Sequence, residues 1–440
     1  MKRIGKLAVL GLLPFAMSST AVAQVSQAQF NALMKRVQML ENVVQENQEL
    51  KLKVEELSEE LARTQATQEI IEEEMEESSM GGVPPVESQS GFLTLGGYVD
   101  AEFHNRKSKG VRSPSKFDQH RFVLDISAKL GEKVSFVSEL EYEHSADSVG
   151  MEQAYIDYEF TPGKGFRVGS LLVPLGRVNY YHDSPMRDLT ERPRVSRLII
   201  PSTWFDSGAG LYWSGGSEDH PWEAELYVMN GLQDDGYNLA SGTGFRSIRK
   251  KGKSGSEQNN NKALTGRWGV TVNEKTRFGL GYYTTDVGAY TPSVGGAAPV
   301  FGGERDLKMW AYDLEYDLTD RWDLIGEYAR GSVDANLASN VAATASAPNG
   351  AGYDFSGWYA QLGYELGADR KWKALLRLGE TDTAKGFTNS GDVEETVLGL
   401  NFRPNKDTVY KIEYHWEDEL SNTGLKLSND GWVLSVASYF

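Results

Sequence analysis

The 440-residue chain has no cysteine. That excludes disulfides, thiolate metal ligands and the lipidated cysteine of an anchored lipoprotein, so stability must come from a large core or a closed sheet. Long hydrophobic runs are missing too. The run from Leu7 to Met17 is too short to span a bilayer, and nothing later approaches the ~18 consecutive apolar residues of a membrane helix. If a membrane holds this protein, helices do not. Basic charge is also in deficit, with a net charge of −17, which argues against nucleic acid as a partner because phosphate binding needs a basic surface. Proline is scarce at 14 residues, whereas Gly 46, Tyr 21, Phe 17 and Trp 10 are plentiful. A mean hydropathy of −0.45 completes the picture of a polar chain dense in glycine and aromatics, as in barrels whose strands face water on one side.

The first 23 residues carry Lys2, Arg3 and Lys6, the apolar run, and then Ala21, Val22 and Ala23, a small-x-small cleavage pattern. Residues 1–23 therefore read as a signal peptide, with maturation expected at Gln24. Residues 24–77 contain neither glycine nor proline. Apolar residues recur there at Phe30, Leu33, Val37, Leu40 and Val44, which is heptad spacing. After the polar Asn47 the seam resumes at Leu50, Val54, Leu57 and Leu61 and continues through Thr64, Gln68, Ile71 and Met75, displaced by three residues. Such a shift overwinds a coiled coil without ending it. A lone helix cannot bury its own stripe, so an N-terminal α-helical coiled coil in the periplasm is expected; a solvated helix folding back on itself is the alternative. Residues 78–91, rich in Gly, Pro and Ser, read as a linker.

From Phe92 onward apolar and polar residues alternate. Phe122, Leu124, Ile126, Ala128 and Leu130 oppose Arg121, Asp125, Ser127 and Lys129; Trp310, Tyr312, Leu314, Tyr316 and Leu318 make a second such face, each opposite face reading as polar or glycine. Short turns fall at 130–133, 161–165, 215–221, 272–276, 318–321, 366–371 and 403–407. Long loops fall near 105–116, 144–151, 175–206, 233–262, 287–304, 334–354, 383–392 and 418–430, alternating with the turns throughout. This predicts an all-β membrane barrel over 92–440, a 16-stranded antiparallel transmembrane β-barrel with both ends in the periplasm. Aromatic girdles are expected at both interfaces, Phe160, Phe166, Trp322, Trp372, Phe402 and Phe440 inside, and Phe103, Tyr142, Tyr282, Trp310, Tyr328, Trp416 and Trp432 outside. The terminal strand, 431–440, ends in phenylalanine and resembles the signal read by outer-membrane assembly machinery.

The third long loop, 175–206, holds Arg177, Arg187, Arg192, Arg194 and Arg197 against four acidic residues, a net charge of +1. Its apolar run Leu198, Ile199, Ile200 and Pro201 is costly to leave in water. Folding the loop inward solves both problems, with the run on the barrel wall and the guanidiniums at a pore constriction whose focused field sorts solutes by charge. The alternative is that these arginines pair internally and only hold the loop's shape. By strand parity Arg121, Arg167, Arg267, Arg277, Lys373, Arg377 and Lys411 line the lumen wall, facing Glu102, Asp125, Glu139, Glu141, Asp157, Glu223, Glu225, Asp313, Glu315, Glu327 and Glu413.

In GSLLVPLGRVNYY at 169–181 and ERPRVSRLIIPSTWFDSGAG at 191–210 the chain resembles the phosphate-selective porin O and P superfamily, over roughly residues 91–440. The resemblance implies sixteen strands, a homotrimer and an inward third loop; in that family phosphate selectivity rests on crowded lumenal basic residues, a set that acidic residues interrupt here. The six histidines have no metal-ligand spacing, so no metal or cofactor is expected. No enzyme activity is expected either: His120 and Ser127 lie at opposite parity on one strand, so they cannot pair for catalysis. The expected function is an outer-membrane diffusion porin of a Gram-negative envelope, an anion channel passing small polar or anionic solutes such as phosphate. Alternatives are an envelope tether contacting peptidoglycan through the coiled coil, or a channel for sugars or dicarboxylates.

Overall fold

The structure, a computed structural model, describes residues 93–232, 261–287, 306–335, 351–388, 392–421 and 423–440, the backbone of Val86–Glu87, Tyr290–Thr291 and Val300–Phe301, and three isolated helical residues, Met34, Lys35 and Lys53. The chain divides into two compact units, Met1–Ser78 and Ser79–Phe440. The expected signal peptide and all but those three residues of the expected coiled coil lie outside the described residues.

Sixteen strands form the second unit: β1 Leu93–Ser108, β2 Lys116–Lys129, β3 Val134–Glu143, β4 Ser148–Thr161, β5 Lys164–Leu172, β6 Phe205–Ser217, β7 His220–Met229, β8 Ala263–Asn273, β9 Thr276–Asp286, β10 Asp306–Asp317, β11 Trp322–Val333, β12 Tyr353–Leu366, β13 Trp372–Asp382, β14 Val393–Phe402, β15 Thr408–Leu420 and β16 Gly431–Tyr439. Each pairs antiparallel with its neighbours, and β16 closes on β1 from Tyr98↔Tyr439 to Arg106↔Gly431. A closed sheet leaves no edge unpaired, which is what a wall in hydrocarbon requires.

Alternation fixes which side of each strand meets lipid. In β10, Trp310 and Tyr312 are exposed on the outside while Leu307, Met309 and Ala311 are buried within. Interface aromatics touch across neighbouring strands, Trp372 with Phe402 at 4.6 Å and Tyr282 with Trp310 at 4.3 Å between ring centres. The terminal Phe440 stacks on Phe122 at 5.6 Å.

Four features depart from the expected pattern. The second outer connection is not long: only four residues, 144–147, join β3 to β4, and His144, Ser145 and Ala146 all have positive φ. Three consecutive left-handed residues reverse the chain at once, a conformation without a sequence signature when none of them is glycine. The first and last outer loops carry on as ribbon, Lys107↔Arg112 and Glu419↔Leu427, so 105–116 and 418–430 are largely extensions of strands. Within the expected linker, Val86–Glu87 pairs with Leu95 and Thr94 of β1. Lastly, the inner face is not uniformly polar: Tyr227, Met229, Tyr283, Leu307, Met309, Ala329, Val333 and Phe355 point inward and are buried. Apolar wall is placed where an apolar loop must dock.

That loop supplies the rest of the core. Val173, Leu175, Val195, Ile199, Ile200 and Trp204 join those wall residues in one hydrophobic cluster inside the barrel. Each aliphatic side chain fully removed from water there contributes roughly 1.5–3 kcal/mol. The protein's hydrophobic core is therefore a lumenal one, offset to the side of β7–β12.

Candidate pore and its loop

The segment between β5 and β6 enters and leaves the wall through a neck tied by one amide. Asn179 Nδ2 donates to the carbonyls of Val173 at 2.8 Å and Trp204 at 2.9 Å, and its Oδ1 accepts from the Trp204 amide at 2.6 Å. Two single-turn helices follow, α1 Arg177–Tyr180 and α2 Val195–Leu198. Short helices leave most of their amides without internal partners, and carboxylates of the wall take them up. Glu327 accepts from the Arg177 amide, Glu395 from the Arg194 amide at 2.9 Å, and Glu413 from the Thr190 and Glu191 amides at 2.9 and 3.0 Å. Acidic residues of the inner wall are thus spent on holding loop backbone.

The loop arginines separate into two kinds. Arg177 donates to Glu315 at 2.8 Å, Arg194 grips Glu417 with two bonds, and Arg197 pairs with Glu191 at 2.7 Å. Two of these three carboxylates belong to the wall, so pairing within the loop, the alternative read from the sequence, describes only Arg197. Arg187 and Arg192 differ. Arg187 donates to the Thr190 carbonyl and to Ser184 Oγ at 3.0 Å, and Arg192 to the His182 carbonyl at 3.5 Å, all neutral oxygens. Among the described residues, neither has a carboxylate within ion-pair distance.

The basic wall candidates all face inward and are engaged. Arg121 meets Glu141 at 2.7 Å; Arg167 reaches Asp157 and Glu225; Arg267 grips Asp313 with both terminal guanidinium nitrogens; Arg277 pairs with Glu223 at 2.6 Å. Lys373 bridges Asp188 and Asp323, each at 2.8 Å, Arg377 donates to the Glu191 carbonyl, and Lys411 to that of Ser184 at 2.6 Å. Arg177 and Arg277 also flank the Tyr181 ring, at 4.9 and 5.4 Å from its centre.

Two lumenal cavities lie against the loop. One of about 450 Å³ is lined by Arg121, Arg187, Arg192, Arg197 and residues of β1 to β4. The other, about 280 Å³, is lined by Arg177, Tyr181, Arg277, Glu315, Tyr359 and Arg377. Arg187 and Glu191 line both.

Several lumenal groups escaped the parity reading, among them Glu152, Glu417 and His120. Glu417 continues the inward parity of Glu413 and was legible. Glu152 and His120 were not, because each sits in a β-bulge: β4 inserts Glu152 between the pairs Glu139↔Gln153 and Leu140↔Met151, and β2 gains a residue between Asp118 and Arg121 opposite Glu102 and Asp100. A bulge re-aims a side chain that strict alternation sends outward.

Comparison with known proteins agrees with this geometry. Residues 94–291 match the family of phosphate-selective porin O and P. A protein of Aquifex aeolicus (strain VF5), described as uncharacterized, is 31% identical over 183 residues, 40% of this chain and 40% of its own length, so the match spans about two fifths of that relative. The outer membrane channel DcaP of Acinetobacter baumannii superposes with a TM-score of 0.52 at 12% identity, covering 81% of this chain and 100% of that one. An anion-selective porin from Comamonas acidovorans gives 0.50 at 12% identity over 79% and 99% of the two chains. Salmonella typhi OmpF in complex with daunomycin gives 0.51 at 11%, over 80% and 99%. At such identities these likenesses establish the fold. The closed barrel, its lipid-facing belt and the family match over strands β1 to β9 make this an outer-membrane barrel of porin type, similar over residues 94–291 to the phosphate-selective porin O and P family.

Proposed function

We propose that the protein is a diffusion porin passing small polar solutes with a preference for anions, phosphate-sized oxyanions among them, through a lumen narrowed by the 173–204 loop. The observation that carries the reading is the pair Arg187 and Arg192, whose guanidiniums meet only neutral oxygens among the described residues while every other loop arginine is matched by a carboxylate. A passing anion is the partner that such a group lacks. Membership of a homotrimer in the outer membrane is part of the proposal, supported by the resemblance to the porin family and by the heptads of 24–77. Those heptads also favour a compatible second role, attachment of the barrel to peptidoglycan or another periplasmic partner. The family match and the porin-like barrel favour a channel over an enzyme.

The test is reversal potential and conductance of the purified protein in planar bilayers under a potassium chloride gradient. Anion preference is expected, together with a current reduced by added phosphate. A lumen closed at every voltage would overturn the channel reading; a cation preference would overturn the role given to Arg187 and Arg192.

A further inference from the structure

The larger cavity collects three of the six histidines of the chain, His104, His120 and His144, and all three face carboxylates. Two of them share one. His104 Nε2 lies 2.6 Å from Glu102 Oε2, and His120 Nδ1 lies 2.8 Å from Glu102 Oε1. Beneath them is Asp100, about 1% exposed, whose two oxygens accept no hydrogen bond; the nearest histidine nitrogen, His120 Nδ1, is 3.6 Å away. Ligand atoms of Asp100, Glu102 and His120 all lie within 4.8 Å of one another.

A buried carboxylate whose nearest histidine nitrogen stands 3.6 Å off is costly, and a bound cation is one partner that relieves the cost. His120 and Ser184 are the polar side chains beside Asp100, and neither closes to hydrogen-bond distance on it. Lys411 and Arg187 are in electrostatic range of it, but Lys411 donates to the Ser184 carbonyl, and Arg187 to the Thr190 carbonyl and Ser184 Oγ. The bulge in β2 supports the same conclusion, because it is what turns His120 into the lumen beside Asp100 and Glu102. Bulges of this kind concentrate where a side chain must be aimed.

We propose that Asp100, Glu102 and His120, with His104 on the second oxygen of Glu102, form a binding site for a transition-metal dication of the Zn²⁺ class, open to the outer vestibule. The donor set is one imidazole nitrogen and two carboxylates, with a second imidazole held on Glu102, which suits Zn²⁺ or Cu²⁺ and not the all-oxygen preference of Ca²⁺ or Mg²⁺. Tetrahedral ligands at about 2.0–2.2 Å stand roughly 3.3 Å apart. The distances of 2.8 and 3.6 Å among His120, Glu102 and Asp100 bracket that spacing, so small side-chain shifts suffice. Both histidines are partly exposed, at 20% and 24%, and both carboxylates lie deeper, at 5% and 1%, an arrangement that admits an ion from the vestibule side.

A second His-carboxylate cluster, Glu139, Glu152 and His182, serves as a contrast. Both Glu152 oxygens accept, from Thr203 and His182, and Glu139 accepts from Gln153, so the cluster latches the loop to the wall. It carries no metal proposal.

Isothermal titration of the protein in detergent with zinc chloride tests the assignment, with H220A as the control outside the cluster. One Zn²⁺ per chain is expected, weakened at least tenfold in H120Q and in E102Q and unchanged in H220A, with no heat from calcium chloride at that site. H120Q replaces a partly exposed ring and keeps the fold; heat-modifiable migration on gels verifies this for both variants. Absence of stoichiometric binding, or equal affinity in wild type, H120Q and E102Q, overturns the proposal. Binding in detergent does not require conduction, so this outcome and that of the bilayer experiment stand apart.

Discussion

At Arg187 and Arg192 guanidinium groups face only neutral oxygens among the described residues, whereas at Arg194 a bidentate bond to Glu417 consumes the charge. The same substitution therefore has opposite meanings at the two places. Combining R187E with R192E is expected to move the reversal potential toward cation preference with conductance retained, and an unchanged potential would remove these residues from selectivity. R194E instead sets a second carboxylate against Glu417, which is about 1% exposed at its side chain. Breaking such a pair costs about 3–5 kcal/mol, and the expected readout is faster proteolysis of the loop, with selectivity altered only as the loop loosens. A different carboxylate predicts a pH effect at the rim. Asp392 lies beyond the lipid belt, where Glu380 and Glu394 are exposed on the outer wall. Burial, and then the nearby Asp382 charge, raise its pKa to about 8. A folded value above the unfolded one of about 3.9 means that this group's contribution to order is complete below about pH 4 and is lost as pH rises through about 8. Trypsin cleavage at the exposed Lys385, corrected with a peptide standard, should quicken between pH 7 and pH 9 in the wild type and show a flat profile in D392N.

The 173–204 loop is the element on which the pore depends, and it is fastened in two ways. Asn179 bonds both strands of its neck, and the side chains of Ile199 and Ile200 are wholly buried against the inner wall. Ile200→Ala should cost about 2–5 kcal/mol of packing, and Asn179→Ala about 1–3 kcal/mol, because the Trp204 amide is left unpaired and the Val173 and Trp204 carbonyls each lose one of two donors. Both are expected to raise hydrogen exchange over 173–204 while leaving the strand amides protected, because the barrel ladder does not pass through the loop. Equal loss of protection in strands and loop would mean that the loop is integral to the barrel's folding unit. How this element packs was legible in part: Leu198 to Pro201 announces an apolar surface to be hidden, but the partner residues Met229, Tyr283 and Phe355 read from sequence as interruptions of a polar face. They make sense only once the loop is set beside them.

For the whole molecule the governing fact is a wall wetted by lipid outside and water within. The purified protein should require detergent and migrate on gels as a compact species until boiled; solubility without detergent would contradict the closed barrel in a membrane. Deleting residues 24–80 separates the two proposed roles. Single-channel conductance is expected to persist, since all sixteen strands lie within 93–439, and attachment to isolated cell wall to fall. Loss of conductance with attachment intact would reverse the assignment of roles between the units.

Strand number and the faces of unbulged strands such as β10 were written in the sequence, because a period of two residues leaves such a strand no other way to face. What alternation could not carry was decided by tertiary structure. Two inserted residues, at Glu152 and beside His120, reset the parity of their strands and so bring together groups that the sequence spaces apart. Likewise the choice between a bare and a neutralised arginine turns on which wall glutamates stand opposite, as Glu315 and Glu417 do for Arg177 and Arg194. A one-dimensional pattern records which face a residue takes, and only closure of the sheet around the loop sets what that face meets.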